Sequence, residues 1–364
     1  MKPRIAVPSV LLVSVTVITL IGLSLAQASP PELRSTIAFA SNRDYPTGIP
    51  GTAPMPERIF NGAEIYLMDP ATDPAEQHVR RLTNNVWSDL FPALSPDGTW
   101  IVFDSNRLRA AADATNTWDL FLMHADGTDQ THLTRGSSAS WSPDSRNITF
   151  YASASGVGRL IGPGGDAATI DSDIFVVNVV DLLAGVAQPI NITNNPQTVD
   201  DDPDWSPDGQ EIVFTSRLVT DTLSAKMYVM RVNSQGIPIQ DGRPNPQRLS
   251  NDSEDERAPA WSPDGTRIAY MCRNGGRKFE ICIMNADGTN KIALTNNTFT
   301  NGTPSWSPDG TQIVFTRDLG GLLVQLFLLT LKPDGMSATE QPIGSLQGSN
   351  GFANWRQVRS TYRP

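Results

Sequence analysis

The chain has 364 residues, enough by length for two ordinary domains. It carries 28 Lys and Arg against 38 Asp and Glu, a formal net charge of -10. Without clustered basic residues, that balance argues against binding a phosphate backbone, so nucleic acid is not an expected partner.

The chain opens with Lys2 and Arg4, an apolar stretch from Val10 to Leu25, then Ala26-Gln27-Ala28. A charged start, an apolar middle and small residues at a cleavage point read as a secretory signal over 1–28. The rival reading is an uncleaved anchor helix, in which case the membrane is touched only through this segment. Either way the rest, 29–364, is expected outside the cytoplasm, periplasmic or secreted.

From Thr36 onward a repeat governs the sequence. Leu94-Ser95-Pro96-Asp97-Gly98 returns as Trp141-Ser142-Pro143-Asp144-Ser145, and then from Trp205, Trp261 and Trp306 with Ser-Pro-Asp-Gly each time. Pro presets φ, Asp can bond the nearby backbone and Gly ends the turn at no steric cost, so each unit holds a tight turn. The Ser is therefore a turn residue rather than a nucleophile, and the Trp before it a wedge between sheets. A short strand follows, such as Ile268-Ala269-Tyr270. A third strand comes next: Ile65–Met68, Leu120–Met123, Ile174–Val177, Met227–Met230, Ile281–Met284 and Leu326–Leu329. A fourth ends in Leu82-Thr83, Leu133-Thr134, Ile192-Thr193, Leu249-Ser250 and Leu294-Thr295, and in a degenerate form near Ile343. No helical period competes.

The first unit begins at its second strand, Thr36–Ala40. The last segment, Gly351–Trp355, is an orphan first strand. Joining them closes a ring and removes exposed edges. The expectation is an all-β, six-bladed β-propeller of four-stranded antiparallel blades, one domain closed by the C-terminal strand.

These motifs, Trp261–Gly265 and Ile283-Met284-Asn285-Ala286-Asp287-Gly288 above all, resemble the TolB-type propeller repeat, a relative of the WD-type propellers. The resemblance runs from about Ser35 to Arg356. It covers the propeller alone: TolB carries an α/β domain ahead of its propeller, for which this chain leaves no room. It implies an envelope protein that binds a protein or peptide. The same repeat precedes the hydrolase domain of prolyl-oligopeptidase-like enzymes, but no Gly-x-Ser-x-Gly elbow follows here.

In such a ring the first strand of each blade is innermost. Counting five residues back from each Trp position gives Asp89, Gly136, Asp200, Glu256, Asn301 and Asn350, with Asp201, Asp202 and Asp255 beside them. These are expected to ring one channel mouth with oxygen atoms. Asp89, Asp200, Asp201, Glu256, Asn301 and Asn350 are thus the candidate binding residues. Calcium could use such oxygens, though no cofactor is expected. The long connections 43–62, 107–118 and 152–172 rim the same mouth. Arg43, Arg107, Arg217, Arg273 and Arg317 each follow a second strand and are expected to pair with acids in the neighbouring inter-blade loop.

Only three histidines exist, His78, His124 and His132, in positions that do not converge, so no transition-metal site and no catalytic residue is assigned. Cys272 and Cys282 flank one hairpin loop. They either bridge in an oxidising compartment or sit as small buried hydrophobes. The reading is a non-catalytic, monomeric binder of a protein or peptide of the cell envelope. The alternatives are a propeller-type carbohydrate-active enzyme of the lyase kind and a structural envelope-assembly module.

Overall fold

The computed structural model describes residues 33–44, 62–70, 79–108, 118–153, 172–221, 224–250, 254–273, 278–320, 323–343 and 348–359. The segment 1–28 and most of the long connections 43–62, 107–118 and 152–172 lie outside them. Among the described residues no helix is long and apolar enough to cross a membrane.

Six four-stranded antiparallel sheets form the expected propeller. Blade two runs outward through Asp89–Leu94, Trp100–Ser105, Asp119–His124 and Thr131–Arg135. Blades three to six repeat the pattern, with inner strands Ser137–Trp141, Thr198–Trp205, Asp255–Trp261 and Thr300–Trp306. Blade three adds one short helical turn, Val179–Leu183. Blade one is composite. Asn350–Arg359 is its inner strand and pairs antiparallel with Leu33–Ser41, from Leu33 opposite Arg359 to Ser41 opposite Asn350. The ring is closed by the C-terminal strand.

The repeat residues explain themselves in the structure. Ser95 Oγ donates to Asp97 Oδ1 at 2.6 Å and accepts from Trp100 N at 2.9 Å. Ser142, Ser206, Ser262 and Ser307 do the same in their blades. These hydroxyls are committed to the turn, as expected of turn residues. The Thr or Ser that ends the outer strand is also a structural device. Thr83, Thr193 and Thr295 accept a third-strand N–H at 2.9–3.0 Å, and Ser250 does so at 3.3 Å.

Blades adhere through apolar faces. Trp141 sits with Val102, Leu120 and Leu122 of blade two and with Ile148 and Phe150 of its own blade. Trp205, Trp261, Trp306 and Trp355 are all at most 5 % exposed. Turns at the Ser-Pro-Asp-Gly end also pack around the ring. A Cβ added to Gly209 would lie 3.1 Å from Pro143, and one on Gly265 would lie 3.3 Å from Pro207. These turns therefore make a continuous collar.

Cys272 and Cys282 are bridged, with Cα atoms 5.8 Å apart. They are not directly opposed, since Cys272 faces Glu280 and Cys282 faces Tyr270, so the bridge runs diagonally across the strand pair. The expected result of thiol titration on denatured, unreduced protein is no free thiol. Reduction should cost about 2–3 kcal/mol, the loop-closure scale for so short a loop. Free thiols in protein taken from an oxidising compartment would remove the bridge from the structure.

Candidate functional site

The inner strands carry a feature that alternation alone does not foresee. Each one bulges three residues before its Trp position, and six non-glycine residues there have positive φ. They are Phe91 at 48°, Ser138 at 51°, Asp202 at 49°, Ala258 at 47°, Thr303 at 45° and Phe352 at 55°. The register shifts at the same place in every blade. A bulge inserts an extra residue and re-aims side chains. Here it turns these six toward the axis, where they line a cavity of about 140 Å³. Phe91 and Phe352 meet across the blade one–blade two junction, with ring centroids 4.0 Å apart. The channel is thus narrow, lined at this level by two phenylalanines, one alanine and three polar residues.

The expected ring lies two residues further up each strand. Asp89, Asp200, Glu256, Asn301 and Asn350 do start the inner strands, but all are at most 2 % exposed. Their side chains are held inside the blades. Asp89 accepts from Ser105 Oγ at 2.6 Å, Asn85 Nδ2 at 2.8 Å and Arg107 Nη2 at 2.9 Å. Glu256 takes Lys291 Nζ at 2.5 Å. Asn301 accepts from Arg317 Nε at 2.7 Å, and Asn350 from Arg43 Nη2 at 3.2 Å. Asp200 accepts from Ser216 Oγ at 2.5 Å. These groups are an internal frame beneath the mouth rather than open oxygen ligands. Asp202, half-buried, lines the channel cavity, and Asp201 beside it is also half-buried.

The arginines that follow the second strands pair within their own blades, not with a neighbouring inter-blade loop. Arg107 meets Asp89, Arg273 meets Asp255, and Arg317 meets Asn301 together with Glu340. Their flat guanidinium groups also lie over rings, Arg107 at 4.5 Å from the Phe121 centroid and Arg317 at 4.2 Å from that of Phe327. Among the described residues Arg217 forms no ion pair, and its charge acts on Asp201.

Burial dominates the acid chemistry of the channel. It pushes Asp200 and Asp202 up to about 6. It holds Asp104 and Asp201 well above the usual carboxylate range, with Asp202 adding repulsion at both. Asp104 is fully buried and accepts from Ser137 Oγ of the next blade, so its carboxyl joins blades two and three. Among the described residues no group of three His, Cys, Asp or Glu side chains is placed to hold a metal ion. His124 meets Asp129 at 3.4 Å and His132 meets Asp119 at 3.0 Å, in separate places; His78 lies outside the described residues.

The repeat, the blade architecture and the closing strand agree with a sequence match to the TolB beta propeller domain over residues 167–355. The chain belongs to that family. Among solved structures, this TolB-type propeller is similar to TolB from Acinetobacter baumannii, at 20 % identity and TM-score 0.61. The likeness covers 88 % of this chain and 66 % of that one, just under two thirds of its length. It is similar to a putative TolB from Agrobacterium tumefaciens, at 17 % identity and TM-score 0.56, over 90 % of this chain and 99 % of that one. An oligogalacturonate lyase from Vibrio parahaemolyticus shares the ring at 15 % identity and TM-score 0.50, over 76 % and 70 % of the two chains. Identities this low speak to the fold and not to what is bound or catalysed.

Proposed function

We propose that this TolB-type propeller is a non-catalytic, extracytoplasmic binding protein that takes a protein or peptide of the cell envelope on the face where the inner strands begin. The observation that carries the reading is a pair of presented aromatics on that face. Trp87 and Phe299 stand in the loops leading into blades two and six, 38 % and 37 % exposed. Each is fixed by the same small turn. Trp87 N donates to Asn85 Oδ1 at 2.8 Å, and Phe299 N to Asn297 Oδ1 at 2.9 Å. Exposed aromatics held on rigid turns suit protein recognition, because large contact area is gained with little ordering cost. Val86, Leu108, Leu218 and Leu323 add exposed apolar surface on the same face.

The buried ring supports this surface. Asn85 Nδ2 donates to Asp89, and Asn301 Nδ2 reaches Asn297 Oδ1 at 3.4 Å. Asp89, Asp200, Asp201, Glu256, Asn301 and Asn350 thus belong to the proposed site as its frame, with Asp201 the most accessible to a ligand. The bridged cysteines fit an oxidising compartment, periplasmic or secreted.

The test is capture from an envelope extract with the purified domain, comparing wild type with Trp87→Ala/Phe299→Ala. A partner that elutes from the wild type should bind the double variant at least roughly tenfold more weakly, a loss of about 1.4 kcal/mol. The melting temperature should hold, because both rings are exposed. A partner bound equally by both proteins would move the site off this face. Turnover of a glycan by the purified domain would replace the reading with the lyase alternative.

A further inference from the structure

The opposite end of the channel, within the collar of Ser-Pro-Asp turns, opens into a larger space. A cavity of about 500 Å³ lies there, lined by the prolines of all five turns and by five inner-strand tryptophans. That volume is in the range of sites for small molecules or a few residues of chain. Its walls are apolar rings, but its floor is not.

Two of the tryptophans carry leftover donors, and the reason is on the neighbouring blade. Where the residue before the preceding Trp position is Ala, the indole N–H reaches that residue's carbonyl. Trp141 Nε1 bonds Ala93 O at 3.0 Å and Trp306 Nε1 bonds Ala260 O at 3.1 Å. Where it is Ser140 or Asp204, the side chain instead takes the backbone N–H of Trp205 or Trp261. Trp205 Nε1 and Trp261 Nε1 then remain buried without a partner among the described residues. Both side chains belong to residues at most 5 % exposed. A buried N–H left unpaired is costly, so these two seams behind the cavity wall carry an unmet polar demand.

Arg356 completes the floor. It comes from the closing strand in blade one and faces Asp204 of blade four, half the ring away, and both line the two cavities along the axis. Its Nε is buried without a hydrogen bond, and no ion pair is shown for it among the described residues. Asp204 is engaged elsewhere, accepting from Ser140 Oγ at 2.7 Å and Trp261 N at 2.8 Å. A guanidinium that lines the cavity without a carboxylate at hydrogen-bond range is built to receive an anion with acceptor oxygens.

We propose that this cavity binds a carboxylate borne on an apolar body, received by the Arg356 guanidinium between walls of Trp and Pro rings. The shared chemistry fits a peptide's free C-terminus with an apolar last residue, or a free amphiphilic acid. The entrance adds a preference. Asp97, Asp144, Asp208, Asp264 and Asp309 stand exposed on the collar. A basic group set back from the carboxylate would meet them favourably. This site is independent of the aromatic face at the other mouth.

The experiment is titration calorimetry on the full chain with three probes: a short peptide ending in leucine with a lysine upstream, its C-terminal amide, and N-acetylleucine. The free-acid peptide should bind at least roughly tenfold tighter than its amide. Arg356→Gln should erase that difference. Arg356→Lys keeps a cation on the cavity wall and should retain part of that difference. It keeps the test open should the glutamine variant melt early. Equal binding of N-acetylleucine and the peptide would identify a free acid as the source. No preference for acid over amide in the wild type, or an unchanged preference in a folded Arg356→Gln, overturns the site.

Discussion

A chain ending at Asn350 should lose its cooperative melting transition, or melt at least about 10 °C below the full chain. The removed strand supplies the inner edge of blade one along the whole of Leu33–Ser41. It also buries Phe352, Ala353 and Trp355. Two large rings and an alanine taken from the interior represent roughly 5 kcal/mol of apolar burial, before the lost ladder is counted. The strand further ties three blades together. Trp355 N donates to Ser305 Oγ of blade six at 3.0 Å, and Asn354 Oδ1 accepts from Leu94 N of blade two at 3.0 Å. Against the ~5–15 kcal/mol that holds a typical domain together, this loss is about a third of the stability or more. The opened ring would also expose a strand edge, so aggregation should accompany the lower melting point. Full-length and shortened chains melting together would mean that closure by this strand is dispensable.

The ring was readable from the chain because its punctuation repeats and its two ends are complementary: a missing first strand before Thr36 and an orphan near Trp355. The Ser-Pro-Asp turns and the Thr at outer-strand ends were readable for the same reason, each being one local device used several times. The channel lining was not. Alternation puts every second residue on one face, so a count back from Trp lands on Asp89 and Glu256 as readily as on Phe91 and Ala258. The bulge breaks the period and decides the matter. A signal was present in the prolines that follow Phe91, Asp202, Ala258 and Thr303, since Pro interrupts a ladder and marks bulges. The orphan donors at Trp205 and Trp261 were beyond reach, because they depend on which residue the neighbouring blade places before its own Trp.

Burial also splits two aspartates that the sequence treats alike. Asp89→Asn should destabilise the fold by roughly 3 kcal/mol at neutral pH, because it leaves the Arg107 guanidinium without its buried counter-charge. It also sets an amide N–H₂ among three donors, Ser105, Asn85 and Arg107. Among the described residues Asp200 has no such cation paired with it. It is 2 % exposed and accepts from Ser216 Oγ at 2.5 Å and Thr198 Oγ1 at 3.4 Å. Burial raises it to about 6, against an ordinary 3.9 in the unfolded chain. Between those values the folded state holds a proton that the unfolded state has lost, so stability falls as pH rises from about 4 to 6. Above that window the ionised carboxylate stays buried at a cost of about 3 kcal/mol, which Asp200→Asn removes. The difference in melting temperature between Asp200→Asn and wild type should therefore climb across pH 4–7 and favour the variant at pH 8. Asp89→Asn should melt below wild type at pH 8. Melting curves of both variants across this range decide it: a flat Asp200→Asn difference would remove the buried-charge account, and a wild-type Asp89→Asn would remove the pairing with Arg107 as a structural element.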